Sequence, residues 1–325
     1  MTGITRTRKG KGYSYHRDGA LIKHKEVLAR IKKLAIPPSW SDVWICSRSD
    51  GHIQATGLDL NKRKQYRYHT DWNILRNETK FHRLYEFGKT LPQLRKRIQK
   101  DISSGELAED KVLATAISLM ERTYIRVGNN DYEKLYGSYG LTTLKDKHVT
   151  IKKDQIHFSF TGKKGIEHTI TLRSKKLASI VKQCRDIPGK SLFQYYGESG
   201  NKKTIDSGML NNYIKTATGL EFSAKDFRTW AGSLHAVQCL RAIGESTDEE
   251  SAKKNILQML DDVSAKLGNS RSICKKYYVH PGLVKLYEEK KLLAYLANCA
   301  ASKNVPLRGL SAEESILLAV LKKCF

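Results

Sequence analysis

The stretch "ICKKYYVHP" (273–281) places two tyrosines, Tyr277 and Tyr278, behind Lys275 and Lys276 and ahead of a His-Pro step. Paired aromatics among cations suit base stacking in nucleic-acid binding. A phenol among cations can equally serve as a nucleophile. If the reacting group is a phosphodiester and side chains do the chemistry, three further functions are needed. These are cationic hydrogen-bond donors for a phosphorane-like transition state, a rigid frame for them, and an acid for the leaving oxygen. Arginine fits the donor role because its planar fork matches two phosphate oxygens and stays charged. Arg126, in "YIRVGN", reads as closing an apolar helix before a glycine turn, its head reaching a cleft or simply complementing a helix C-terminus. Arg228, in "KDFRTWAG", falls near a helix start, where the dipole opposes a cation, so an anionic partner is expected. Lys163, in "FTGKKGIEH", reads as a hairpin-tip lysine that could swing as an acid or merely be solvated.

The elements that must position these residues follow from periodicity. Residues 43–59 ("VWICSRSDGHIQATGLD") alternate apolar and polar on both sides of Asp50-Gly51, which predicts a β-hairpin. "NKRKQYRYHT" (61–70) reads as a basic loop entering a strand, with Tyr66 and Tyr68 on one face and Arg67 on the other. With Lys62, Arg63 and Lys64 around them, these side chains suit a nucleic-acid groove or a charge-blunted edge strand. Gly and Pro in "FGKTLP" (87–92) suggest a break, and helices dominate beyond it. Val112, Leu113, Ala116, Ile117, Met120 and Tyr124 lie at helical spacing over 109–127, with Gly128 as the stop. Ile156, Phe158 and Phe160, then Ile166, His168, Ile170 and Leu172, alternate around a Gly162–Gly165 turn, so Lys163 and Lys164 occupy a hairpin tip. From Lys175 to Ala300 the chain reads as successive helices, and a last helix opens on a Ser311–Glu314 capping box. The expected class is α+β: a small β-rich domain (1–88), then a larger, mainly helical domain (89–325) containing a β-hairpin island.

Composition narrows the partners. The 325 residues carry 58 Lys+Arg against 33 Asp+Glu, a formal net charge of +25. Residues 1–100 hold 23 of these cations and only 8 of the anions, which points to a polyanion surface concentrated near the N-terminus. No apolar run approaches the ~18 residues of a membrane span, and no signal-peptide core opens the chain, so a soluble intracellular protein is expected. Cys46, Cys184, Cys239, Cys274, Cys299 and Cys324 show no Cys-x-x-Cys and no paired His spacing, against a zinc site or a disulfide framework. No Walker or Rossmann glycine loop suggests ATP or a dinucleotide. No cofactor is expected.

The order Arg126, Lys163, Arg228, then a tyrosine near 278, resembles the tyrosine-based DNA strand-breaking enzymes, and specifically the type IB DNA topoisomerases of the poxvirus-like and bacterial branch. The likeness runs through "AIPPSW" (35–40), "DVWIC" (42–46), "HIQATG" (52–57), "KQYRYH" (64–69), "RTYIRVGN" (122–129), "GLTTLKDKHV" (140–149), "FTGKKGIEH" (160–168), "AKDFRTWAG" (224–232) and "LGNSRSICKKYYVHP" (267–281), nearly the whole chain. It implies that Arg126 and Arg228 bind the nonbridging oxygens of the scissile phosphate and that Lys163 protonates the departing 5′-oxygen. Many members carry a histidine nine residues before the nucleophile; counting back from Tyr278 gives Asn269, an uncharged donor, whereas counting from Tyr277 gives Gly268. The "VHP" step likewise follows the nucleophile, so the resemblance selects Tyr278 and leaves Tyr277 to pack or to touch DNA.

The implied reaction forms a 3′-phosphotyrosyl link and a 5′-hydroxyl, lets the duplex swivel and reseals it, with neither ATP nor metal. Double-stranded DNA is the implied partner. The contacts expected on it are Lys62, Arg63, Lys64, Tyr66, Arg67, Tyr68, Tyr132, Lys164, Lys225, Lys275 and Lys276, with 1–88 acting as a clamp on a monomer. A tyrosine recombinase is the nearest rival, but recombinases carry His three residues before the second arginine, where this chain has Lys225. A non-catalytic architectural DNA-binding protein is the rival of another class. Localisation follows the source: nucleoid-associated cytoplasm in a bacterium, or a virion or viral factory in a large DNA virus.

Overall fold

The computed structural model describes residues 3–10, 12–60, 62, 64–301 and 308–323, with backbone only for 71–80 and 299–301. Arg63 and Cys324 lie outside the described residues, as does the side chain of Cys299. The chain forms two compact units, 1–80 and 81–325.

The first unit contains β1 (Gly3–Lys9), β2 (Gly12–Arg17), β3 (Ala20–Leu21), α1 (Lys25–Lys33), β4 (Ser41–Cys46), β5 (Ile53–Leu58) and β6 (Lys64–Tyr68). The strands make one sheet in the order β3-β2-β1-β4-β5-β6, with antiparallel neighbours. The hairpin expected at 43–59 is β4–β5; it is preceded by a β1–β2 hairpin whose strongly basic, weakly alternating sequence gives little strand signal. Ile4, Ile45 and Ala55 align across three strands and bury one face against Ile31 of α1. Strand alternation therefore sends Trp44, Thr56 and Tyr66 to the opposite face.

The division between the units falls inside α2 (Thr70–Ile102). The expected break at 87–92 does not occur: α2 runs through Gly88 and Pro92. Tertiary packing outweighs the ~3 kcal/mol a proline costs a helix interior. Phe87, Leu91 and Leu94 are fully buried, and a Cβ at Gly88 would meet the Trp230 ring at 2.4 Å, so glycine is what lets another helix approach.

The second unit continues with α3 (Glu109–Thr123), α4 (Asn130–Tyr136), β7 (Val149–Lys152), β8 (Gln155–Thr161), β9 (Glu167–Arg173), α5 (Lys175–Asp186), β10 (Gln194–Tyr196), β11 (Lys202–Thr204) and α6 (Ser207–Thr218). It ends with α7 (Ala224–Ile243), α8 (Glu249–Leu267), α9 (Arg271–Tyr277), α10 (Pro281–Glu288), α11 (Leu292–Ala301) and α12 (Ala312–Lys323). The molecule is α+β, and one large core joins α2, α3, α7, α8 and α12 with the inner faces of β8 and α5. The hairpin island is a three-stranded sheet, β7-β8-β9, and the stretch expected to be all helical contains the small β10–β11 hairpin. The capping box of α12 is present: Ser311 Oγ accepts from Glu314 N, and Glu314 accepts from Ser311 N. Among the described residues no helix is long and apolar enough to cross a membrane.

Candidate active site

The site is built on the C-terminal end of α8. Gly268 takes a left-handed conformation there (φ 57°), and Asn269 N donates back to Ser264 O at 3.0 Å, closing the helix in a Schellman-type turn. The carbonyls of Leu267 and Gly268 are left pointing outward at the negative end of the helix dipole. Two guanidinium groups take them. Arg126 Nη2 donates to Gly268 O at 2.8 Å and to Asn269 Oδ1 at 2.6 Å. Arg228 Nη2 donates to Leu267 O at 2.6 Å, while its Nη1 donates to Tyr124 O.

Each arginine is fixed by its own element. Arg126 does not close α3 as expected; that helix ends at Thr123, and Tyr124 caps it in the left-handed region (φ 57°). Burial of Thr123 and Ile125 on either side brings the chain out early, and Arg126 follows in an extended segment tied down by Leu141 N→Arg126 O and Thr142 N→Val127 O, both 2.7 Å. A non-glycine residue at positive φ costs about 1–2 kcal/mol, and here the turned carbonyl of Tyr124 is the one that holds Arg228. Arg228 sits in the first turns of α7, whose N-terminus is closed by the Ser223–Asp226 capping box. It is 5% exposed. The anionic partner expected for it is replaced by two backbone carbonyls, Tyr124 O at the end of α3 and Leu267 O at the end of α8. Neutral acceptors leave its positive charge uncancelled, and its buried Nε has no hydrogen-bond partner among the described residues. Burial and then the Arg228 charge lower the Arg126 guanidinium to about 10, which still leaves it cationic at neutral pH.

Tyr278 follows α9 as its C-cap, with its N–H on Cys274 O at 2.9 Å. Its ring centroid lies 5.2 Å from Arg228 Cζ. The backbone of Tyr278 rests on α7: Ser233 Oγ donates to Tyr278 O at 3.2 Å and accepts from His280 N at 3.1 Å. A Cβ at Gly232 would stand 2.6 Å from Tyr278 O, so only glycine permits this contact. Arg228 and Gly232 lie one turn apart on one face of α7, and Ser233, next to Gly232, reaches the same Tyr278 backbone. One helix thus registers both the Arg228 guanidinium and the Tyr278 backbone. His280, 3% exposed, caps α10 through Nδ1, which accepts from Gly282 N at 3.0 Å.

The remaining residues line the same cleft: Arg126, Lys163, Lys164, Lys225, Asn269, Tyr277 and Tyr278 all border it. Lys163 and Lys164 form the β8–β9 tip as expected, with Lys163 Nζ 5.8 Å above the Tyr132 ring. Tyr277 lies between Lys276 Nζ (5.3 Å) and Lys225 Nζ (5.9 Å). Lys275 and Lys276 are exposed on α9. In the first unit, Tyr66 and Tyr68 stack at 5.9 Å with Lys64 Nζ 5.9 Å over Tyr66, and Lys62 is exposed. Arg67 points the other way and donates to Ala35 O at 2.6 Å, so it braces the loop before β4. Ser233, Gly232 and the carbonyls of Tyr124 and Leu267 carried no signal in the sequence: a serine or glycine in a helix is common, and every residue has a carbonyl.

A buried Arg228 beside the Tyr278 ring, with the half-buried Arg126 and the tip lysines bordering the same cleft, makes a cationic pocket suited to an anionic ester. Comparison with known proteins narrows the class. The model for the eukaryotic DNA topoisomerase I catalytic core matches residues 63–300, and that for the bacterial DNA topoisomerase IB N-terminal domain matches residues 12–59. DNA topoisomerase 1B of Acanthamoeba polyphaga mimivirus is 32% identical over 297 residues, covering 89% of this chain and 88% of that one. DNA topoisomerase 1B of vaccinia virus (strain Copenhagen) is 24% identical over 279 residues, 82% and 83% of the two chains. The chain belongs to the type IB DNA topoisomerases.

Proposed function

We propose that this topoisomerase relaxes supercoiled duplex DNA with Tyr278 as its nucleophile. Tyr278 gives up its phenolic proton to water, and its oxygen attacks the scissile phosphorus. The bond to the 5′-oxygen breaks and a 3′-phosphotyrosyl link remains; on resealing the phenol takes a proton back. Arg126 and Arg228 bind the nonbridging oxygens as charge builds there. Lys163 hands its proton to the departing 5′-oxygen and recovers it when that hydroxyl reseals the strand. Asn269 adds a neutral donor through Nδ2, since its Oδ1 is taken by Arg126. The observation that carries this reading is the Arg228–Tyr278 pair at 5.2 Å, with Arg228 held by carbonyls and its charge uncancelled.

Lys164, Lys225, Tyr132, Tyr277, Lys275 and Lys276 are proposed backbone or base contacts around the cut. The sheet face bearing Trp44, Tyr66, Tyr68 and Lys64 is a proposed second grip on the duplex, its aromatics flat against the groove and its cations on phosphates. Residues 1–88 would then serve as the clamp and the rest as the catalytic domain, working as a monomer. The viral relatives favour a viral factory or virion, and the bacterial N-terminal likeness a nucleoid.

Detergent trapping on supercoiled plasmid tests the core of this reading. Tyr278→Phe should abolish both covalent adduct and relaxation, and Tyr277→Phe should keep most of both. A fully active Tyr278→Phe protein would overturn it.

A further inference from the structure

The side chain of His168 has no assigned part in the reaction, yet it lies between two loops that do. It stands on β9, opposite Phe160 of β8, and its ring stacks on that buried phenylalanine at 5.1 Å with 22° between planes. One edge of the ring abuts Gly162, the residue before Lys163: a Cβ there would be 2.5 Å from Cδ2 and 2.6 Å from Nε2. The other edge abuts Gly268, where a Cβ would be 2.9 Å from Cε1. Gly268 is the residue whose carbonyl receives Arg126, and Asn269 follows it. The imidazole therefore fills the gap between the lysine-bearing tip and the phosphate-binding turn, and both neighbours are glycines because nothing larger leaves room for the ring. Burial, then Arg126 and Arg228, hold His168 below its ordinary pKa, so the wedge is uncharged at neutral pH and adds no third charge beneath the two arginines. The ring does not line the cleft itself.

We infer that His168 is a positioning residue for proton transfer, a spacer that sets the Lys163 tip against the Gly268–Asn269 turn. The inference rests on the reading of Lys163 as the general acid. A flexible lysine on a hairpin delivers its proton only if the hairpin base is fixed relative to the phosphate, and a misplacement near 1 Å costs about a hundredfold in rate.

The leaving group provides the test. Two duplexes of the same sequence are compared in single-turnover cleavage, one with the natural bridging 5′-oxygen and one with sulfur in its place. An alkoxide needs the proton, whereas a thiolate, with a parent pKa of about 8.5, departs without it. His168→Ala should lose about a hundredfold on the oxygen duplex and less than about threefold on the sulfur duplex, where no proton delivery is asked of Lys163. Gly162→Ala, which drives a methyl into the ring from the tip side, should show the same sulfur-rescued loss and stands in if His168→Ala does not fold. Equal losses on both duplexes overturn the inference. Lys163→Ala separates the two layers. If sulfur rescues Lys163→Ala but not His168→Ala, only the role of His168 is wrong; if sulfur rescues neither, the acid assignment is wrong as well.

Discussion

Ser233 Oγ lies 3.2 Å from the carbonyl of Tyr278 and 3.1 Å from the N–H of His280, a single buried hydroxyl that spans the turn carrying the proposed nucleophile. Removing it leaves a buried carbonyl and a buried amide unsatisfied, a loss of about 1–3 kcal/mol in stability. The turn also loosens against α7. Ser233→Ala should form adduct roughly 10- to 100-fold more slowly in single turnover, while Ser233→Thr, which retains the hydroxyl, should stay closer to the native rate. Unchanged DNA affinity in both variants, read by gel shift, would place the defect in the chemistry.

Arg228 depends on shape as much as on charge. Its two terminal nitrogens are committed to Tyr124 O and Leu267 O, a fork that an ammonium cannot reproduce. Arg228→Lys should therefore lose on the order of 10²- to 10³-fold in cleavage, close to Arg228→Ala. Single-turnover rates for the pair check this, and a lysine variant within about fivefold of native would show that charge alone suffices.

Asn269 binds Arg126 through Oδ1, so truncating it touches both a proposed donor and an arginine anchor. Asn269→Ala should slow cleavage by roughly 10²-fold. Asn269→Asp would put a carboxylate on Arg126 and cancel the charge meant for phosphate, so it should be slower still. Adduct formation by the two variants, ranked against native protein, gives the answer.

Acid should weaken the fold through His280. Burial, with His82 nearby, lowers its pKa to about 4, and the neutral ring is the form whose Nδ1 caps α10. The unfolded chain binds this proton near pH 6.5, so the contribution is intact above that value and is withdrawn as pH falls toward 4. By pH 4.5 the loss is on the order of 2 to 3 kcal/mol. His280→Asn keeps a capping acceptor without the titration. Its urea midpoint should fall less than the native midpoint between pH 7 and 4.5.

The first unit's sheet face should be felt in salt dependence. Replacing Lys64 with alanine removes one proposed phosphate contact and should flatten the slope of log K against log salt by roughly 0.9. Tyr66→Ala should weaken binding by about 1–3 kcal/mol without changing the slope, as expected for stacking. A titration of both variants at several salt concentrations distinguishes the two effects.

Much of this molecule is legible from the chain alone, where the physics is local. The β4–β5 hairpin follows from alternation around Asp50-Gly51, the Lys163 tip from alternation around Gly162–Gly165, and the start of α12 from Ser311 and Glu314. The likeness to a known family then put Arg126, Lys163, Arg228 and Tyr278 in order and preferred Tyr278 to its neighbour. Non-local contacts decided the rest. Gly88 and Pro92 look like a break, but the helix persists because Trp230 packs onto the glycine. Glu314 reads as a cap, yet it also receives Arg95 at 2.6 Å and Trp230 Nε1 at 3.2 Å, partners more than eighty residues away. Arg228 was expected to meet an anion and meets two carbonyls instead. A carbonyl is carried by every residue, so its availability depends on where α8 ends in space and which arginines the packing brings to that end. The sequence determines which side chains can do the chemistry; the tertiary structure determines which backbone groups hold them still.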